Sequence, residues 1–230
     1  MSVSQEGIFR RGEGDAWFRR NRDNLLSKTE PDWIEHLLSG LAGIDEVASV
    51  CDLGCANGWR LQRLKHLFAP GCALTGVDAS GAAIRDGRGR FPELRLHEGV
   101  LSQIPLTGSF DLVIVSFVLH WIDRSQLSRV IAEIDRLVAW NGYLLVSDFL
   151  PDSPRCRSYH HLPDQGVFTY KQDYSRAFVG LELYREVRRH AFPHASPGPS
   201  GNGAHATQSI DSDDRCACVL LRKVNLYVES

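Results

Sequence analysis

Val50-Cys51-Asp52-Leu53-Gly54-Cys55-Ala56-Asn57-Gly58-Trp59-Arg60 is the stretch from which the rest of the chain is read. An apolar run ends in an acid, turns through Gly54 and Gly58, and opens into a segment whose Leu61, Leu64, Leu67 and Phe68 share one helical face. Glycine has no side chain and tolerates positive φ, so such a turn lets backbone approach a ligand closely. Further on, Thr75-Gly76-Val77-Asp78 ends a second apolar run in another acid. An acid at the tip of a second strand can hold both hydroxyls of a ribose. The two runs together predict a pocket for an adenosine-bearing cofactor.

The glycine spacing narrows that cofactor. A dinucleotide fingerprint needs G-x-G-x-x-G, whose third glycine packs helix against strand. Here Gly54 and Gly58 give G-x-x-x-G just after Asp52, and no Gly-Lys-Ser/Thr is present to hold a triphosphate. An acid beside the loop repels a pyrophosphate but accepts hydrogen bonds from an ammonium group. That chemistry fits the amino-acid end of S-adenosylmethionine.

On these residues the chain resembles the class I S-adenosylmethionine-dependent methyltransferases. Residues 51–58 (CDLGCANG) are similar to that family's first motif and 76–80 (GVDAS) to its second. Residues 108–115 (GSFDLVIV) resemble its fourth strand, and 140–146 (WNGYLLV) the turn into its fifth. The resemblance implies an α/β, Rossmann-like, seven-stranded and mostly parallel sheet with helices on both faces and an antiparallel C-terminal hairpin. It also implies S-adenosyl-L-methionine as the cofactor.

Composition sets limits on partners. The chain has 230 residues, 43% of them hydrophobic, and a net charge of −2 from 26 basic and 28 acidic side chains, so no overall basic field draws it to nucleic acid or membrane. Arg10-Arg11, Arg19-Arg20 and Arg188-Arg189 are short clusters. The opening residues lack the apolar segment of a signal peptide, and no apolar run reaches the ~18 residues of a membrane span. Six cysteines include Cys51 and Cys55, but no second pair completes a zinc site, so no metal is expected. A reduced cytoplasmic protein, monomer or homodimer, is the expectation.

Alternating strand and helix patterns predict βαβ units. Strands are expected at 48–53, 73–78, 94–97, 110–116 and 143–149, and helices at 31–42, 60–67, 80–90 and 125–139. Residues 1–45 are read as an N-terminal helical lid and 46–230 as the methyltransferase domain. Within it, 151–175 forms an acceptor-side insertion, with a short helix near 174–181, and 193–214 a mobile loop between terminal strands at 183–192 and 216–224.

The resemblance assigns site residues. Asp52 is expected near the methionine ammonium, through water, and Asp78 on the ribose, with Ala79 after it. Gly54, Cys55, Ala56, Asn57 and Gly58 form the loop, Ala56 standing where the family often has glycine and Asn57 turned toward the amino-acid end. Turn formation and helix capping are the alternative for both acids. Trp59 is read as lid or packing. After the third strand the family often has an acid for the adenine amino group, whereas here Val100 stands in that place. Adenine is therefore expected to use backbone donors near Val100 and Leu101.

Ser116 to Ile122 resembles a turn facing cofactor and substrate, with Ser116 at the cofactor and Trp121 at the acceptor. His120 is a candidate to orient or deprotonate the nucleophile, because histidine titrates near neutral pH; packing is the alternative. His160 and His161 are further catalytic candidates, and Tyr159, Tyr170 and Lys171 substrate contacts for a polar, anionic or sugar-like acceptor. A solvated surface loop is the alternative there. Gly14 to Asn21 resembles the opening of a bacterial methyltransferase subgroup associated with nonulosonic-acid sugars and secondary metabolites. That likeness places Trp17 over the cofactor and Arg20 near its carboxylate, against a plain amphipathic helix.

The expected function is methyl transfer from S-adenosylmethionine to an oxygen or nitrogen of a small polar molecule, a sugar or secondary metabolite. An RNA or protein methyltransferase is one alternative, though the basic stripe with interleaved aromatics is missing. A non-catalytic cofactor binder is another. A nicotinamide dehydrogenase is disfavoured by the glycine spacing.

Overall fold

The computed structural model describes residues 4–195, 198–199 and 211–224. The strands are β1 (Ser49–Leu53), β2 (Ala73–Asp78), β3 (Arg95–Glu98), β4 (Phe110–Ser116), β5 (Val138–Phe149), β6 (Arg155–Ser158), β7 (Phe168–Lys171), β8 (Tyr184–Pro193) and β9 (Arg215–Lys223). Seven of them form one sheet in the order β3-β2-β1-β4-β5-β9-β8. β1 to β5 pair in parallel, and β9 runs antiparallel to both β5 and β8. Strand order reverses between β1 and β4, and ligands bind beyond the carboxyl ends of strands at such a point.

The helices are α1 (Gln5–Ile8), α2 (Gly14–Leu26), α3 (Trp33–Ser39), α4 (Trp59–Leu64), α5 (Gly81–Arg90), α6 (Leu127–Leu137) and α7 (Ser175–Val179). β1 is buried on both faces from Val50 to Leu53, as a central parallel strand must be. Successive side chains of a strand point to opposite faces. Leu112 and Ile114 therefore join one core with residues of α3, α4 and α5, while Val113 and Val115 join the other with Val130, Ile134 and Leu137 of α6.

Several expectations shift. α6 ends at Leu137, and β5 begins at once with Val138, takes Asn141 through φ 62° and changes register before Tyr143. Only its second half carries the apolar run visible in sequence. The insertion, in which no strand was expected, contains a hairpin of β6 and β7. Its pattern is hidden because β6 is exposed throughout and its pairing is supported from far away. The Gln5 side chain accepts from Phe168 N at 2.6 Å and donates to Phe168 O at 3.1 Å and Trp121 O at 2.7 Å, covering the outer edge of β7. Most of the expected loop at 193–214 lies outside the described residues.

The glycines of α5 weaken it as an isolated helix, but one of them is needed for packing. A Cβ on Gly87 would stand 2.3 Å from the carbonyl oxygen of Asn57 in the loop after β1, whereas one on Gly89 meets nothing within 4 Å. Gly87→Ala is expected to lower stability by about 1–3 kcal/mol through overpacking, despite the better helix propensity. Gly89→Ala should raise it by about 0.5–1 kcal/mol. Urea denaturation of the two variants beside wild type checks both signs.

Candidate functional site

The loop after β1 is fastened to β2 by backbone. Gly54 N and Cys55 N both donate to Val77 O, at 2.8 and 3.1 Å. Gly54 sits at φ 79°, and a Cβ there would press on Val118 at 3.1 Å. Asp78 at the end of β2 accepts from Ala56 N at 2.8 Å through one oxygen and from Ser80 N at 2.8 Å through the other. Burial raises its pKa, opposed by those two N–H groups.

Asp52 is fully buried at the end of β1, and neither carboxylate oxygen has a hydrogen bond. The Arg60 guanidinium stands 3.7 Å away, beyond hydrogen-bond reach, and 3.8 Å from Asp32. Desolvation lifts the Asp52 pKa from 3.8 to about 6, moderated by Arg60. Lys28 lies 4.9 Å from the Trp59 ring centroid on which Arg60 also stacks, and burial lowers its pKa.

Asp78, Arg60 and Lys28 open onto a cavity of about 850 Å³, whereas Asp52, expected at the cofactor, is fully buried and does not line it. At one end Lys28, Asp32, Trp33 and Arg60 line it; the tips of β1 and β2 contribute Gly54, Ala56, Asp78 and Ala79. Elsewhere the walls are rings. Trp121 lies 5.0 Å from Phe9, 5.7 Å from Tyr159 and 6.3 Å from Trp17, and its indole N–H is buried with no hydrogen bond. His120, in a short 3-10 turn after β4, is buried beside it.

The His120 Nδ1 is 2.9 Å from Oδ1 of Asp148, and its backbone N donates to Oδ2 at 3.3 Å. Asp148 is likewise buried, near the end of β5. A carboxylate at Nδ1 favours the tautomer with the proton on that nitrogen, leaving Nε2 as the basic one. Because His120 also lines the cavity, the pair can accept a proton from a molecule bound there.

The N-terminal segment contributes Glu6, Phe9, Gly14, Trp17 and Asn21 to the cavity wall and is bonded to the rest of the site. Asp15 accepts from Ser80 Oγ at 2.6 Å and Ala82 N at 3.0 Å at the start of α5. Tyr159 Oη and Arg20 Nη2 both donate to Oε1 of buried Glu13, at 2.9 and 2.5 Å, and Arg20 reaches Tyr159 Oη at 3.1 Å.

Residues 50–142 match the family model described as a methyltransferase domain. A malonyl-[acyl-carrier protein] O-methyltransferase of Legionella pneumophila is 32% identical over 108 residues, covering 45% of this chain and 37% of that protein. A trans-aconitate 2-methyltransferase of Escherichia fergusonii is 24% identical over 166 residues, 65% of this chain and 64% of that one. The chain thus spans less than two thirds of these curated relatives. Among solved structures, 1,6-didemethyltoxoflavin-N1-methyltransferase of Burkholderia thailandensis superposes with TM-score 0.65 at 13% identity, covering 95% of this chain and 88% of its own. Residues 50–142 thus carry a methyltransferase domain, on a fold shared with that solved methyltransferase.

Within this methyltransferase fold the cavity gathers most of the residues singled out in sequence. Trp17, Val100, Leu101 and Ser116 line it beside the loop residues already named, as do His160, His161 and Lys171. Several others are turned elsewhere. Arg20 is taken by Glu13 and Tyr159 rather than facing the cavity. Asn57 does not turn inward: its Nδ2 donates to Asp86 of α5 at 2.8 Å, and its Oδ1 accepts from Trp59 N. Tyr170 lies under the Arg124 guanidinium, 4.3 Å from its ring centroid. The Cys55 thiol donates to Ala56 O, and Gly58 packs on Leu94 and Leu96.

Asp148 was not singled out, although it stands near the tip of β5 much as Asp52 and Asp78 close β1 and β2. Arg60 and Lys28 were also missed; on α4 and past α2 they carry no motif. Among the described residues no His/Cys/Asp/Glu group could hold a metal, no helix is long and apolar enough to cross a membrane, and all six cysteines are unpaired.

The buried Asp52 has a consequence for stability. Its pKa is raised on folding, so between pH 4 and 6 the folded state holds a proton that the unfolded chain has released, and stability falls as pH rises. The unfolding free energy of wild type minus that of Asp52→Asn is expected to drop by about 2–3 kcal/mol from pH 4 to pH 7. Urea titrations of both proteins across that range check it; a flat difference would refute the buried ionisation.

Proposed function

We propose that the protein transfers the methyl group of S-adenosylmethionine to an oxygen or nitrogen nucleophile of a small molecule. The observation that carries this reading is that one cavity joins the Gly54–Asp78 cradle to the His120–Asp148 pair. The residues present fit the cofactor. Each Asp78 oxygen accepts one backbone N–H and keeps capacity for a ribose hydroxyl. Val100 and Leu101 offer an apolar wall with backbone donors for adenine. At the amino-acid end, Arg60 and Lys28 suit the carboxylate, in place of Arg20, and Asp32 on the same wall suits the ammonium, while fully buried Asp52 backs Arg60 from behind. When bound, the cofactor supplies a methyl carbon already activated by sulfonium.

The chain's own part is to align the nucleophile, exclude water and take up the proton. Nε2 of His120 receives it, and Asp148 holds the ring and balances the imidazolium. Trp17 and the Glu13–Arg20–Tyr159 group keep the N-terminal segment over the cavity.

Calorimetric titration with S-adenosylhomocysteine, beside NAD, tests the cradle. Micromolar binding is expected for the former alone, weakened about 10–100-fold by Asp78→Asn. Absence of binding by folded wild type would overturn the reading. Once an acceptor is in hand, His120→Ala should lower kcat by about 10²–10⁴-fold while leaving S-adenosylhomocysteine affinity unchanged. Binding without turnover of any acceptor would mark a non-catalytic binder.

A further inference from the structure

The wall beyond His120 is cationic and aromatic. Lys171 on β7 donates to the backbone carbonyl of Asp213 at 2.7 Å, which uses one of its three donors and leaves its charge unneutralised by that contact. Its Nζ stands 4.2 Å from the Phe149 ring centroid, and that ring lies 5.1 Å from His120. Arg155 and Arg157 share the single carboxylate of Asp213, one on each oxygen. Asp211 and Asp214 belong to the same turn, and Asp152 pairs with Arg215, but none of these acids lines the cavity, whereas Lys171 and Arg157 do. His194 bridges the two parts: it stacks on Phe149 at 5.3 Å, and burial, then Lys171 and His120, lower its pKa.

We propose that the methyl acceptor is a hydroxylated aromatic carboxylate, its carboxylate held by Lys171 and Arg157 and its hydroxyl presented to His120. The assignment rests on the methyl-transfer reading above. Two physical arguments select it. A carboxylate acceptor would carry no proton to remove at neutral pH, so a buried His–Asp pair points to a protonated hydroxyl as nucleophile and to a separate anionic group for the cations. A sugar donates from every hydroxyl and needs acceptors around it. Among the described residues the carboxylates lining the cavity are Glu6, Asp32 and Asp78, and Asp78 and Asp32 belong to the cofactor end. Among the other lining side chains, the rings of Phe9, Phe117, Trp121 and Phe149 match the faces of a flat ring.

In the reaction the hydroxyl proton passes to Nε2 of His120 and an oxygen lone pair forms the new bond to the methyl carbon. The carbon–sulfur bond breaks with its electrons on sulfur. The products are an aryl methyl ether, the neutral thioether and an imidazolium paired with Asp148.

The test uses the whole protein. S-adenosylhomocysteine binding is measured first, and then turnover with methyl-labelled S-adenosylmethionine and 4-hydroxybenzoate, salicylate and caffeate, their methyl esters, and glucose and N-acetylglucosamine. At least one acid should be methylated with KM about tenfold or more below that of its ester. Lys171→Met should raise the KM of that acid about tenfold, leaving kcat within about twofold and the KM of the ester unchanged, and Lys171→Arg should restore it. Equal KM for acid and ester, an unchanged KM in Lys171→Met, methylation of the sugars alone, or no turnover of any acid by protein that binds S-adenosylhomocysteine would overturn the assignment. Failure of folded wild type to bind S-adenosylhomocysteine would overturn the methyl-transfer reading beneath it.

Discussion

The carboxylate of Asp78 holds two turns at once, and the site depends on that. One oxygen accepts the N–H of Ala56, in the loop after β1, and the other the N–H of Ser80, at the start of α5. Hydrogen bonds to a buried carboxylate are stronger than neutral ones. They anchor the loop at the strand reversal, where Gly54 is pressed against Val118 and Ala56 is forced to φ 50°. Gly87 then lets α5 pack on the carbonyl of Asn57. Strand tip, loop and helix therefore form one rigid wall.

The second wall is built from distant pieces of chain. Gln5 completes the edge of β7, Asp15 caps α5 together with Ser80, and Glu13 collects hydrogen bonds from Tyr159 and Arg20. The N-terminal segment is thus fixed by polar contacts to the insertion and to the start of α5, beside a small apolar cluster of Phe18 and Leu25 with Ala56, Trp59 and Ala83. Such contacts are directional and individually modest, so the cover is defined in position without a large apolar interface.

Charge is distributed by depth. Asp52 sits unbonded behind the loop, and Asp148 sits behind His120, while the groups on the cavity surface include Arg60, Lys28, Lys171 and Arg157. Acids buried behind a layer of cations and rings act through that layer: Asp148 sets the tautomer and orientation of His120, and Arg60 moderates the cost of burying Asp52.

The sequence by itself determined the order of elements and the cradle. Apolar runs closed by Asp52 and Asp78, with glycines at the turn, demand parallel strands with an open end, because buried strands need continuous apolar residues and a tight turn needs positive φ. Strand and helix limits in this half were legible to within a few residues. Tertiary structure alone decided the partners of polar side chains. Arg20, Asn57 and Tyr170 looked available for a ligand, yet each found a nearer partner in Glu13, Asp86 and Arg124. Asp148 and His120 are far apart in sequence and meet only because β4 and β5 lie side by side with their ends together. The β6–β7 hairpin is announced only by the four-residue alternation of β7, because β6 is exposed throughout and the outer edge is completed by distant Gln5. Periodicity records which face is buried, whereas hydrogen-bond pairing depends on distances that exist only after the chain has folded.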